Sequence, residues 1–268
     1  MHISLMFLCE MLGMGIIMVT FVGAGPGAVD LITVRGKALL ETADIVIYAG
    51  SLVNPELLTY TKKACQIYNS AEMTLEQVIS VMESGEKEGK QTVRLHTGDP
   101  SIYGAIREQM DLLLERGIEY TVVPGVSSFC GAAAVLKVEY TLPNVSQTVI
   151  LSRMEGRTPV PEKEEISRLA SHRASMALFL SSSMLTELSQ RLIDGGYEED
   201  TPAAIVYKAT WPDEKIIRTS VGNLHAAAKE NNINKTALIL VGNFLGGEYE
   251  RSKLYDPSFT HEFRKASQ

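Results

Sequence analysis

The chain has 268 residues, 45% of them apolar and 21% charged, with a formal net charge of −7. That is enough chain for one large domain or two modest ones, ordinary in composition for a soluble globular protein, and its acidity argues against a general nucleic-acid surface. Cys9, Cys65 and Cys130 form no CxxC pair, and His2, His96, His172, His225 and His261 are dispersed, which points to a reducing cytoplasm and to no protein-bound metal.

In chain order, the stretch up to Met18 is rich in Met, Leu and Ile but interrupted by Cys9 and Glu10. It lacks the basic start and cleavage site of a signal peptide and the unbroken apolar run of a membrane span. With Met6, Met11, Met14 and Met18 as alternative starts, residues 1–15 read as a dispensable extension. Residues 16–136 then read as an N-terminal α/β domain. Strands are expected at Ile16–Val22, Ala43–Tyr48, Thr92–His96 and Tyr120–Val123, and helices at Thr33–Thr42, Asn54–Lys63, Thr74–Glu88, Ser101–Arg116 and Ser127–Val135. Strand–helix alternation of this kind implies a mostly parallel sheet covered on both faces. Lys137–Val145 is the expected linker, punctuated by Pro143-Asn144. Residues 146–246 read as a second α/β domain. Its strands are expected at Thr148–Ser152, Ala177–Leu180, Ala203–Lys208, Ile216–Thr219 and Ala237–Val241, and a helix at Leu185–Asp194 is closed by Gly195-Gly196. Trp211-Pro212-Asp213-Glu214 reads as a hairpin loop between antiparallel strands, and residues 247–268 as a polar tail.

Three strand-to-turn junctions stand out: Val22-Gly23-Ala24-Gly25-Pro26-Gly27, Thr97-Gly98-Asp99-Pro100-Ser101-Ile102-Tyr103-Gly104 and Val123-Pro124-Gly125-Val126-Ser127-Ser128. Open α/β sheets bind ligands where strands end, so three such edges side by side would make one floor for one ligand. The first junction can be forced onto G-x-G-x-x-[GA], but a dinucleotide site needs a helix directly behind the glycines and an acid closing the second strand. Here the helix is expected only from Thr33, and the second strand closes on Tyr48-Ala49-Gly50. A kinked Gly/Pro loop suits close approach of backbone to a ligand instead. Asp99 before Pro100 reads both as a helix N-cap and as a carboxylate facing a ligand, with Tyr103 and Gly104 on the first turn beyond it. Basic residues (Arg35, Lys37, His96, Arg107, Arg153, Arg157, Lys208) gather near these edges and suit a small polyanion. No Ser-His-Asp order, HExxH, P-loop or zinc spacing occurs.

The three junctions, in this order and spacing and with Asp30-Leu31-Ile32-Thr33 behind the first, resemble the motifs of the tetrapyrrole methylases. Tyr48-Ala49-Gly50-Ser51-Leu52-Val53-Asn54-Pro55 and the run from Tyr207 to Lys215 are similar to the cobalamin-pathway branch, nearest to its methylases acting at C11 of precorrin-4 or cobalt-precorrin-4. The resemblance implies two α/β domains with a ligand cleft between them, a homodimer, S-adenosylmethionine (SAM) as methyl donor and a tetrapyrrole substrate. It assigns Pro26, Thr97, Gly98, Asp99, Ile102, Ser127, Ser128, Ser181, Ala209, Thr236 and Ala237 to the cofactor. Asp99 and Tyr103 are the implied candidates for proton uptake, and Arg35, Arg107, Arg153 and Lys208 for the substrate carboxylates. The rival expectations are a related methylase acting at another ring position or on uroporphyrinogen III, and a tetrapyrrole carrier without turnover.

Overall fold

The computed structural model describes residues 19–266. The expected extension at 1–15 and the first residues of the expected strand 16–22 lie outside the described residues. The described chain forms two compact units. One runs to Gly131 and includes Thr210–Pro212; the other comprises Ala132–Ala209 and the chain from Asp213 onward.

The first unit holds β1 (Val19–Gly23), α1 (Val34–Thr42), β2 (Ile45–Tyr48), β3 (Gln66–Asn69), α2 (Leu75–Lys87), β4 (Thr92–His96), α3 (Arg107–Glu115) and β5 (Tyr120–Val123), and α4 (Ser128–Leu136) starts in it. Its five strands are all parallel, in the order β3-β2-β4-β1-β5. Strand alternation sorts the apolar residues onto two faces. Val22, Val46, Val93 and Leu95 pack with Leu40 of α1 and with Leu57, while Phe21, Ile45 and Ile47 pack with Val78, Ile79 and Met82 of α2 and Leu113 of α3. Each such fully buried aliphatic side chain contributes about 1.5–3 kcal/mol. Thr33 caps α1, its Oγ1 accepting from the Gly36 N–H at 3.0 Å, and Thr74 with Gln77 forms a capping box at α2.

Three expectations need correction here. No helix starts at Ser101: α3 begins at Arg107, after a loop. Tyr103 and Ala105 sit at φ +54° and +48°, and a Cβ on Gly104 would lie 2.1 Å from the Pro100 carbonyl oxygen. Left-handed residues interrupt an α-helix, so Asp99 and Pro100 do not serve as its N-cap and N1. At 54–63 the helix is a 3-10 segment, Pro55–Tyr60, started by Asn54. The edge strand β3, polar and half exposed, was not expected.

The second unit contains β6 (Val149–Arg153), α5 (Ile166–Ala170), β7 (Ser175–Phe179), α6 (Leu185–Asp194), β8 (Pro202–Tyr207), β9 (Lys215–Ser220), α7 (Leu224–Glu230) and β10 (Ala237–Val241). Its sheet runs β6-β7-β10-β8-β9, parallel only between β6 and β7. The expected hairpin is present, with Val206 opposite Ile216. One core joins Met176, Leu178, Ile205 and Ile239 of the sheet to Leu188 and Leu192 of α6 and Leu224 of α7. The short helices α5 and α7 were not anticipated. Beyond Gly246 the chain is almost wholly exposed, and Arg264 donates to the Leu254 and Asp256 carbonyls at 2.8 and 2.7 Å.

Candidate active site

In the first sheet β1 lies between β4 and β5, whereas the chain leaving β1 returns as β2 on the far side of β4. That reversal makes the ends of β1 and β4 a topological switch point, the place where open α/β sheets bind ligands. All three sequence junctions emerge there. Gly23 is level with His96, and Val22 with Val123.

The loops touch backbone to backbone. The Ala24 N–H donates to the His96 carbonyl at 2.7 Å, and Gly25 and Gly98 exchange hydrogen bonds at 3.3 and 2.9 Å. A Cβ on Gly125 would stand 2.1 Å from the Gly98 carbonyl oxygen, and one on Gly23 would stand 2.5 Å from the Gly125 Cα. Glycine is therefore required at both positions by space, and Gly25 and Gly98 by their φ of +81° and +60°. Asp99 ties the second loop to the third: its Oδ2 accepts from the Gly125 N–H at 2.8 Å, and its Oδ1 from the Ser101 N–H at 2.9 Å and from the Ser101 hydroxyl. Burial pushes the Asp99 carboxyl up, but the hydrogen bonds from Ser101 and Gly125 outweigh it and hold the group below its ordinary value. Asp99 is thus a carboxylate at neutral pH and a weak base.

The Gly/Pro loop is pinned from three more places. Asn54 Nδ2 donates to the Gly27 carbonyl at 2.9 Å, Trp211 Nε1 to the Pro26 carbonyl at 3.1 Å, and the Ala28 N–H to Thr210 Oγ1 at 3.0 Å. Gly131 of α4 lets Pro26 approach; a Cβ there would meet the Pro26 ring at 2.8 Å. None of these partners was assigned to the site from the sequence, although Asn54, Thr210 and Trp211 lie in the two segments that resemble the cobalamin branch.

Under this edge, Thr97 Oγ1 and His96 Nε2 are buried without a hydrogen-bond partner among the described residues. Burial, with the Arg94 charge beside it, pushes the His96 imidazole down to about 3. Arg94 is itself lowered to about 10 by burial, and its guanidinium reaches Gln109 Oε1 and the Ile47 carbonyl, both at 3.1 Å.

The family model of the tetrapyrrole (corrin/porphyrin) methylases matches residues 18–225, most of the chain. The chain belongs to that family. A cobalt-precorrin-4 C(11)-methyltransferase of Methanocaldococcus jannaschii is 56% identical over 249 residues, covering 92% of this chain and 96% of that protein. The X-ray structure of a cobalt precorrin-4 methyltransferase superposes with a TM-score of 0.84 at 49% identity, over 85% of this chain and 96% of the other. A uroporphyrin-III C-methyltransferase of Thermus thermophilus, complexed with S-adenosylhomocysteine, shares the fold at a TM-score of 0.71 and 22% identity, over 85% and 93% of the two chains.

As a tetrapyrrole methylase, the chain brings Pro26, Thr97, Gly98, Asp99, Ile102, Ser127 and Ser128 to one sheet edge, with Ser127 buried and Ile102 partly buried. Tyr103 follows on the same loop and is 46% exposed. In the second unit, Ser181 is buried at the end of β7; its hydroxyl donates to the Phe179 carbonyl at 2.6 Å and accepts from the Met154 N–H at 2.9 Å. Ala209 and Thr236 lie together beyond β8 and before β10, where the Lys208 N–H donates to the Thr236 carbonyl at 3.1 Å and Ala237 opens β10. Lys208, Thr210 and Thr236 have φ of +46°, +70° and +57°. A β-branched residue at positive φ is strained, and such strain gathers at functional sites.

The four basic candidates differ. Arg35 is exposed on the first turn of α1. Arg107 opens α3 and is paired with Asp111 at 2.9 Å. Arg153 spends its guanidinium on the Met154, Thr158 and Pro159 carbonyls at 3.1, 3.2 and 2.9 Å. Lys208 pairs with Asp213 at 2.6 Å.

Proposed function

We propose that this chain is a SAM-dependent C-methyltransferase of cobalamin biosynthesis that methylates C11 of cobalt-precorrin-4 or precorrin-4. The observation that carries this reading is the 56% identity, across nearly the whole of both chains, to the M. jannaschii enzyme of that name. Fold alone would not choose among ring positions, because the uroporphyrin-III enzyme shares it. In this reading the protein is a cytoplasmic homodimer; no described helix is long and apolar enough to cross a membrane.

The sheet edge suits the cofactor. Gly23, Gly98 and Gly125 let backbone replace side chains there, Thr97 Oγ1 is a buried hydroxyl in want of a partner, and ionised Asp99 keeps lone pairs for an ammonium. We assign Pro26, Thr97, Gly98, Asp99, Ile102, Ser127 and Ser128 to holding it. Ser181, Ala209, Thr236 and Ala237 are assigned to its adenosine on the family resemblance alone. When bound, SAM supplies an electrophilic sulfonium methyl and departs as a neutral thioether. No general acid is needed for that departure, so the protein acts chiefly by alignment. The loop lattice around Gly125 and the clamps from Asn54, Thr210 and Trp211 keep the edge rigid. Asp99, a weak base already engaged with Gly125 and Ser101, is assigned to the ammonium. Tyr103, on the same loop, is the other candidate for the ring proton and would have to accept it as the phenolate, since a neutral phenol is no base. Arg35, Arg107, Arg153 and Lys208 are proposed for the substrate carboxylates; Arg35 fits best, since the other three are engaged within the protein.

The test has two steps. Isothermal titration should give micromolar binding of S-adenosylhomocysteine and none of NADH. Deuteromethyl SAM, incubated with cobalt-precorrin-4, precorrin-4 or uroporphyrinogen III, should then label C11 of one of the first two. Label at another carbon, or on uroporphyrinogen III, would assign the rival methylase. Tetrapyrrole binding without release of S-adenosylhomocysteine would mark a carrier.

A further inference from the structure

The loop between Asp99 and α3 carries Ile102 and Tyr103, two residues of the proposed site. Its backbone is left-handed at two residues that have a Cβ, Tyr103 at φ +54° and Ala105 at φ +48°. Such a conformation is strained and persists only where the surroundings enforce it.

The enforcement comes from inside the first unit. Gln109, buried on the first turn of α3, turns its amide back on the loop, and its Nε2 donates to the Ala105 carbonyl at 3.0 Å. Its Oε1 accepts from Arg94 Nε at 3.1 Å, and Arg94 Nη1 donates to the Ile47 carbonyl of β2 at 3.1 Å. The Gln109 amide cannot be turned round. A guanidinium only donates and a carbonyl only accepts, so its two ends are assigned by their partners. Arg94 is buried too, and no described carboxylate pairs with it. Its charge is therefore spent on neutral acceptors. A charged donor polarises the amide it binds, which strengthens that amide's own bond to Ala105.

We propose that Arg94 and Gln109 are positioning residues for methyl transfer, a buried relay from β4 through α3 that holds the Ala105 peptide left-handed and so fixes how Ile102 and Tyr103 are presented. The inference rests on the reading that this loop serves the reaction; the relay itself is tested apart from it.

The variant that isolates the relay is Gln109→Glu, made in the full chain. Beside the Arg94 charge the introduced carboxyl ionises, so it still accepts from Arg94 but has no proton for Ala105. Backbone carbon chemical shifts of Tyr103 and Ala105, which report left-handed φ, should move toward ordinary loop values. The Gly125 amide, held by Asp99, should keep its shift. With deuteromethyl SAM and the accepting tetrapyrrole, kcat should fall at least about ten-fold, or about 1.4 kcal/mol of barrier. Affinity for S-adenosylhomocysteine should change by less than about three-fold, because Asp99 is anchored separately through Gly125 and Ser101. Glycine adopts left-handed φ without penalty, so adding Ala105→Gly to Gln109→Glu should recover part of the lost kcat, which a general loss of stability would not permit. Urea unfolding establishes that both variants are folded. Unchanged shifts of Tyr103 and Ala105 in Gln109→Glu overturn the relay, whatever the protein methylates. Moved shifts with undiminished kcat overturn the positioning role and take this loop out of the reaction. If the wild type methylates none of the three tetrapyrroles, the functional reading falls and the positioning role with it, while the shifts still decide the relay.

Discussion

At the scale of single residues, charge state separates the roles of Asp99 and His96. Asp99 is held ionised by Gly125 and Ser101, so Asp99→Asn removes charge at little cost in shape. A hydrogen bond to a charged group is worth about 1.5–3 kcal/mol, so affinity for S-adenosylhomocysteine should fall about 10- to 100-fold by calorimetry, and because Asn offers one acceptor where Asp99 uses both oxygens, stability should also fall by about 1–3 kcal/mol in urea unfolding. Undiminished affinity would remove Asp99 from the cofactor site. His96 is the opposite case, a base kept neutral by burial, with its ordinary value of 6.5 lowered to about 3. The unfolded chain takes up a proton near pH 6.5 that the folded chain refuses, so the stability tied to His96 is full above pH 6.5. It drains away as pH falls from there toward 3, at up to about 1.4 kcal/mol per pH unit. His96→Phe keeps an aromatic ring 6.0 Å from Phe21 without the proton. Urea unfolding at pH 7 and pH 5 should show wild type losing up to about 2 kcal/mol more than the variant. Equal losses would mean that His96 is protonated in the folded protein.

At the scale of elements, the site is a lattice of loops rather than a set of side chains. Gly125→Ala drives a Cβ against the backbone of Gly98 and Gly23, neither of which has a flexible end to yield. It should cost about 1–3 kcal/mol and sharply weaken S-adenosylhomocysteine binding, measured by urea unfolding and calorimetry. Gly117→Ala is the contrast: its φ is +67° but nothing lies within 4 Å, so it should cost only about 1–2 kcal/mol of backbone strain and leave binding intact. Asn54→Ala strips a buried Gly27 carbonyl of its partner and uncaps Glu56, with an expected loss of about 1–3 kcal/mol and a looser Gly/Pro loop. The same elements explain what was legible in sequence. Glycine and proline announce the three junctions because few other residues tolerate those turns. The helix expected at Ser101 failed because local composition does not reveal that Tyr103 and Ala105 are left-handed. β3 was missed because an exposed edge strand, Gln66–Asn69, carries no apolar run. The clamps from Asn54 and Trp211 reach 27 and 185 residues along the chain, beyond any spacing rule.

At the scale of the whole molecule, stability divides between two interiors. The first unit is covered on both faces of its sheet, and the second gathers its helices around one large apolar cluster. The chain beyond Gly246 belongs to neither cluster. Among the described residues its hydrogen bonds through Arg264, Asp256 and His261 close on itself, and Tyr249, Tyr255, Phe259 and Phe263 remain 59%, 81%, 40% and 87% exposed. Aromatic surface that stays in contact with water contributes little to folding, because the driving force scales with apolar area removed from water. Deleting residues 248–268 should therefore lower the melting temperature by less than about 4 °C, the equivalent of roughly 1 kcal/mol in a chain of this size. Methyl transfer, carried in this reading by the sheet edge around Gly98 and Gly125, should persist in the truncated chain. A larger fall in melting temperature at high protein concentration, absent at low concentration, would instead give those aromatics a partner in a second copy of the chain. The measurement is a pair of melting curves taken across a hundred-fold range of concentration, since only an association-linked loss depends on it.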